Sequence, residues 1–112
     1  AFWGRDRTRG AKLPLEFLVH KQTQSTAQLH GLLDRGVLKP GYKADINIID
    51  YENVRLHDPE MVYDLPSGGK RLVQKADGYT ATICDGVVTY ENGVHTGQMP
   101  GRLVRGGQIE KV

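Results

Sequence analysis

The residues with reactive side chains are few and scattered. Histidines stand at 20, 30, 57 and 95, and the chain has no His-x-His, no His-Glu-x-x-His and no Cys-x-x-Cys, so spacing gives no metal signal. Cys84 is the single cysteine. No histidine lies at a motif spacing from it, and inside a strand pattern it reads as a small apolar residue whose buried thiol is inert. No nucleophile elbow is present. Asp45 and Asp50 bracket an apolar run. A catalytic pair of carboxylates is one reading; turn residues that bind backbone amides are the favoured one. Ser67-Gly68-Gly69-Lys70 lacks the first glycine of a phosphate loop and the hydroxyl after its lysine. There remains the arm 1–12, AFWGRDRTRGAK. Its Arg5, Arg7 and Arg9 carry guanidinium forks suited to a carboxylate or phosphate, against the commoner role of a solvated loop with local ion pairs.

Two helices and a run of strands must position these groups. Residues 13–22 are predicted helical, with Pro14 at the first helical position, Glu16 near the positive end of the dipole and Leu15, Leu18 and Val19 on one stripe. Ser25-Thr26-Ala27-Gln28 matches a capping box that starts a second helix, and Gly31 supplies its left-handed cap. His20 lies off the stripe and His30 in the last turn, both structural positions. Asp34-Arg35-Gly36 reads as a turn and Lys39-Pro40-Gly41 as a type II turn. Residues 44–49 follow as a strand, with Ile46, Ile48 and Ile49 predicting at least partial cover on both faces. Residues 51–70 read as a long irregular loop pinned by its apolar side chains. Residues 71–76, 79–84 and 87–91 read as strands, the last two joined by Asp85-Gly86 and followed by Asn92-Gly93, which makes an antiparallel meander. Residues 96–112 form a basic, glycine-rich tail across the surface, its end predicted to be disordered.

A chain of 112 residues with 38% hydrophobic residues and 14 glycines suits one small, turn-rich α+β domain with a limited core of its own. Fifteen basic and 13 acidic residues leave a net charge of +2, which predicts neither a nucleic-acid nor a membrane partner. One cysteine fits a reducing compartment, hence a cytoplasmic protein. No apolar run reaches membrane-spanning length and the start carries no signal-peptide pattern. Phe2 and Trp3 at the very start are large apolar residues of the kind that follow structure, so the chain is expected to be part of a longer one, with cleavage of a short leader as the alternative.

Gly31-Leu32 followed by residues 34–50, DRGVLKPGYKADINIID, resembles the C-terminal signature of the amidohydrolase superfamily. There the chain leaves a metal-binding (β/α)8 barrel and enters a small β-sandwich. Residues 85–93, DGVVTYENG, resemble that domain's closing hairpin. Thr96-Gly97 with Pro100-Gly101-Arg102-Leu103-Val104-Arg105 resembles the terminus of the N-acyl-D-amino-acid deacylase branch. The resemblance implies residues 1–33 as the last barrel loop and helices, and residues 34–112 as a small β-sandwich-like domain with its tail. It implies zinc in the full-length parent, held by residues upstream of Ala1. This chain then has no catalytic residue, metal ligand or cofactor of its own. The loop 3–9 borders the substrate, with Arg5 or Arg7 on a carboxylate. The missing barrel is the expected partner, and uncovered faces predict a homo-oligomer or domain swap. The competing readings are a free-standing β module for protein interaction and, further off, a self-sufficient hydrolase using Cys84 or the histidines.

Overall fold

A computed structural model describes residues 4–105. A short loop leads into helix α1 (Leu15–Gln22) and helix α2 (Gln24–Leu29). Eight short strands follow among the described residues: β1 (Ile46–Ile49), β2 (Arg55–Leu56), β3 (Glu60–Val62), β4 (Arg71–Val73), β5 (Ala76–Asp77), β6 (Tyr79–Cys84), β7 (Val87–Glu91) and β8 (Val94–His95). A 3-10 turn, Tyr51–Asn53, follows β1, and another, Pro66–Gly68, separates β3 from β4. The class is α+β with small antiparallel sheets.

The helices form where their apolar stripe predicts, with different ends. Pro14 precedes α1 in an extended conformation (ψ 143°) instead of opening it, and its carbonyl accepts the first helical bond, from Leu18 at 3.2 Å. The capping box is not made. Thr23 is the N-cap of α2, and Ser25 already lies within the helix, its hydroxyl 3.0 Å from His20 Nδ1. With one residue between the helices, the hydroxyl of Thr23 donates backward to the Val19 carbonyl at 2.6 Å and serves the orphan acceptors of α1. The end of α2 is as read. Gly31 adopts φ +69°, and amides of Gly31 and Leu32 bond the carbonyls of Gln28 and Ala27 at 3.1 and 2.9 Å, a Schellman closure.

The glycine turns then fold the chain against α2. Gly36 has φ +90°, and a Cβ there would lie 2.9 Å from both Ala27 Cβ and the Thr23 carbonyl oxygen; only a glycine fits. The amide of Tyr42 bonds the Lys39 carbonyl at 3.1 Å across Pro40 and Gly41 (φ +87°), the predicted type II turn.

The main sheet has the order β1-β6-β7-β8, antiparallel throughout. Strands β6 and β7 have the predicted bounds. Asp85 and Gly86 (φ 51° and 78°), and Asn92 and Gly93 (φ 49° and 82°), are the positive-φ pairs that hairpin turns of matching twist require. The second pair opens β8, which the sequence reading left out. Strand β1 begins at Ile46 and not at Ala44, because the Asp45 side chain, at 2.9 Å, takes the Asp85 amide from the ladder. The supposed loop 51–70 contains β2 and β3. The single strand predicted over 71–76 is two: β4 pairs with β3, β5 pairs with β2, and Gln74-Lys75 switches between them.

Cover on the two faces of β1 is partial: Ile48 and Ile49 are 48% and 45% exposed. Among the described residues Ala27 is the buried apolar side chain, beside buried Asp34 and Lys43, and no large side chain is fully enclosed. The accessible surface is 8956 Å², against about 6,100 Å² for a compact monomer of this mass. The radius of gyration, 16.2 Å, likewise exceeds the ~13 Å usual near this length. The tail over 96–105 runs without helix or strand; the end predicted to be disordered, and residues 1–3, lie outside the described residues.

Candidate functional site

The arginine loop is wedged between α1 and the turn after β1. Gly4 is buried, and a Cβ on it would meet Leu18 Cδ1 at 3.2 Å and Tyr51 Oη at 3.3 Å. From this contact Arg5 reaches across 46 and 49 residues of chain. Its Nη1 donates to the Tyr51 carbonyl and its Nη2 to the Val54 carbonyl. Nε and Nη2 also donate to the two carboxylate oxygens of Asp6, at 2.9 and 3.1 Å, and the guanidinium lies 5.7 Å from the Tyr51 ring centroid. The Asp6 bond raises the pKa of Arg5, and the guanidinium in turn holds the Asp6 carboxyl below its ordinary value. The Arg7 amide closes a turn onto the Gly4 carbonyl at 3.2 Å. Arg7 is half-buried and Arg9 exposed. Of the two arginines singled out from sequence, Arg5 is thus engaged with the protein's own backbone, and Arg7 sits two residues beyond that anchor.

A second polar cluster stands at the junction. Buried Asp34 pairs with Arg35 at 3.1 Å, and Arg35 Nε lies 3.5 Å from Asp45. The other oxygen of Asp45 accepts the Asp85 amide, and the Asp85 carboxylate pairs with Lys43 Nζ at 3.1 Å and approaches Arg102 at 3.9 Å. The Gly86 amide bonds the Ala44 carbonyl at 3.0 Å. The network joins the turn before β1, the β6–β7 hairpin and the tail. Asp45 therefore binds a backbone amide, as read, but one 40 residues away. Asp50 accepts from Asn53 Nδ2 at 2.7 Å within its own turn. Nothing in this geometry pairs the two aspartates as acid and base.

The histidines are dispersed. His20 faces Ser25, His30 caps α2, His95 Nδ1 accepts the Gly97 amide at 3.1 Å and packs edge-on to Tyr90, and His57 Nε2 lies 2.9 Å from Asp77. That last pair is more than half exposed on both sides and straps β2 to β5. Cys84 is half-buried at the end of β6. Among the described residues no three His, Cys, Asp or Glu side chains converge as metal ligands. These residues therefore do not fit the zinc that the resemblance implies. No helix among the described residues is long and apolar enough to cross a membrane. An open groove of about 420 Å³ lies along α1, lined by Leu15, Val19, Thr23 and Val37.

A short helical pair, a glycine-turned junction and small antiparallel sheets are the architecture to set beside known proteins. The chain belongs to the amidohydrolase family, whose model matches residues 2–90. Among curated proteins it is similar to an N-acyl-D-aspartate deacylase of Alcaligenes xylosoxydans xylosoxydans, with 45% identity over 42 residues, which agrees with its resemblance to the D-aminoacylases. That alignment covers 38% of this chain and 8% of the relative. No solved structure matches the chain. Sequence reasoning missed the partners of Arg5, since nothing local marks a backbone carbonyl 46 residues away as an acceptor.

Proposed function

We propose that this chain is the C-terminal part of a zinc-dependent amidohydrolase that cleaves the amide C–N bond of N-acyl-D-amino acids in the cytoplasm. Residues 1–33 are the last loop and helices of its barrel, and residues 34–112 contribute to its small β-sandwich domain. The observation that carries this reading is the family match over residues 2–90 on a chain whose large apolar side chains stay largely uncovered. Leu29, Leu33, Leu38, Ile48, Ile49 and Leu72 are all more than 40% exposed. Side chains of this kind need cover, and the barrel supplies it in this reading. The zinc ligands belong to the part of the enzyme outside this chain, and the chain by itself is structural. Arg7, with Arg5 behind it, faces the substrate carboxylate; the name of the deacylase relative supports an anionic N-acyl amino acid.

The test is to read the genomic sequence upstream of Ala1 and to assay two proteins, this chain and the whole reading frame, for zinc-dependent release of amino acid from N-acyl-D-aspartate and its neutral analogues. An in-frame barrel with His-x-His and activity confined to the longer protein are the expected results. A start codon directly upstream of Ala1 would instead make the chain a free-standing interaction module. Hydrolysis by the short chain, lost in Cys84→Ala, would sink both readings. Left without its barrel, the short chain is expected to self-associate; a monodisperse monomer at high concentration by light scattering would contradict that.

A further inference from the structure

The arginine loop precedes α1, whereas the groups that hold it come from the β-rich half. Arg5 places one fork arm on each of two carbonyls, Tyr51 and Val54, that flank a single turn. Three further contacts fix the same point. The Asp6 carboxylate orients the guanidinium through two bonds, the Tyr51 ring lies beside it, and buried Gly4 leaves no room for a side chain between Leu18 and Tyr51. The turn itself is held from behind. The Asp50 amide bonds the Gly78 carbonyl at 2.7 Å, and Gly78 (φ +94°) passes so close to Val54 that a Cβ would lie 2.7 Å from its Cα. The chain from Gly78 through Val54 to Arg5 is continuous packing, and the Gly4–Arg7 turn is its far end.

We propose that Arg5 is a positioning residue, clamping the arginine loop to the turn after β1 so that Arg7 and Arg9 meet the carboxylate of an N-acyl amino acid. This rests on the reading of the parent as a deacylase. The small β domain then sets substrate affinity from outside the barrel. A planar fork is needed, because a single ammonium cannot span two carbonyls and a carboxylate together.

The experiment uses the full-length enzyme with Arg5→Met, Arg5→Lys and, as a control of equal charge change, Arg71→Met. Arg71 makes an exposed two-point pair with Asp64 on the β3–β4 side. Two readouts are taken: kcat and KM for an anionic N-acyl amino acid, and the rate of trypsin cleavage after Arg7 and Arg9. Arg5→Met is expected to raise KM roughly tenfold, since small misplacements of a binding group carry penalties of that order and above, with kcat little changed. Arg5→Lys recovers part of the loss, and Arg71→Met leaves KM as it was. Trypsin cuts the Arg5→Met loop faster than wild type. An unaltered KM with a reduced kcat, the pattern of a smaller folded fraction, overturns the proposal, as does an unaltered KM with unaltered cleavage. If the full-length protein hydrolyses no N-acyl amino acid, the parent reading and the substrate role fall together. Cleavage then decides the clamp alone, faster cutting supporting it and an unchanged rate refuting it.

Discussion

Replacing Asp85 with asparagine in the intact protein removes one charge from a pair whose two members differ sharply in exposure. The Lys43 side chain is 4% exposed and the Asp85 side chain 34%, with Nζ and Oδ1 3.1 Å apart. At that distance the gross attraction is about 5 kcal/mol for an effective dielectric near 20, and desolvation of the ammonium offsets much of it. Asparagine keeps the positive φ that Asp85 adopts in its turn (φ 51°), so the substitution isolates the charge. It takes an anionic partner from a cation whose side chain is 4% exposed. Removing one partner of a fully buried pair costs 3–5 kcal/mol; with Asp85 one-third exposed, the expected loss is about 2–3 kcal/mol. Lys43→Met runs the other way. It leaves a carboxylate that water and Arg102 reach, and the methionine stem refills the lysine's apolar track. Its expected cost is about 1 kcal/mol, near the range of exposed pairs. The double variant then costs about 1–1.5 kcal/mol, well below the sum. Urea unfolding followed by circular dichroism, on wild type and all three variants, measures the cycle. Equal single costs, or additivity within about 0.5 kcal/mol, would refute the assignment of Lys43 as a buried cation held by Asp85.

Two further outcomes follow from single geometries. Gly36→Ala is expected to destabilise by more than about 2 kcal/mol, since strain at φ +90° adds to contacts of 2.9 Å with Ala27 and Thr23. Gly41→Ala, at φ +87° but with nothing within 4 Å, should cost only about 1–2 kcal/mol; thermal melts of the two decide whether the close approach matters. Arg71 holds the Asp64 carboxyl below its ordinary 3.8 through their hydrogen bonds. A depressed folded pKa means the pair's stabilisation is complete above the unfolded value near 4 and fades as pH falls through the lower folded one. Asp64 should therefore titrate below 3.8 by carboxyl NMR, and Arg71→Met should bring it back toward that value.

Local chemistry was legible in the sequence where one or two residues decide the backbone. Asp85-Gly86 and Asn92-Gly93 bounded β6 and β7 because few residues other than Gly, Asn and Asp accept positive φ. Pro40-Gly41 gave its turn, and Gly31 its helix end, for the same reason. Polar side chains with a choice of partner were not legible. Ser25 fits a capping box on spacing alone, yet His20 lies within reach and Thr23 already holds the helix start. Strands β2 and β3 escaped notice because two or three residues show no periodicity, and their partners β5 and β4 lie well along the chain. The arginine loop was legible as a cationic segment; the turn that anchors it was not.

Burial in this chain is distributed unlike that of a self-contained globule. In an isolated globule apolar side chains are enclosed and charges stay wet. Here Asp34 and Lys43 are enclosed while Ile48, Ile49 and Leu72 face outward. Buried ion pairs add little net stability compared with apolar packing, so the junction network is best understood as fixing the angle at which the β6–β7 hairpin meets the turns before β1. The accessible surface exceeds that of a compact monomer by about 2,800 Å², whereas a standard docking interface takes only about 800 Å² from each partner. In the proposed reading a barrel of the same polypeptide supplies cover for this excess, and Leu15, Phe17 and Val19 of α1 with Ile48 and Ile49 of β1 are among the exposed side chains left for it.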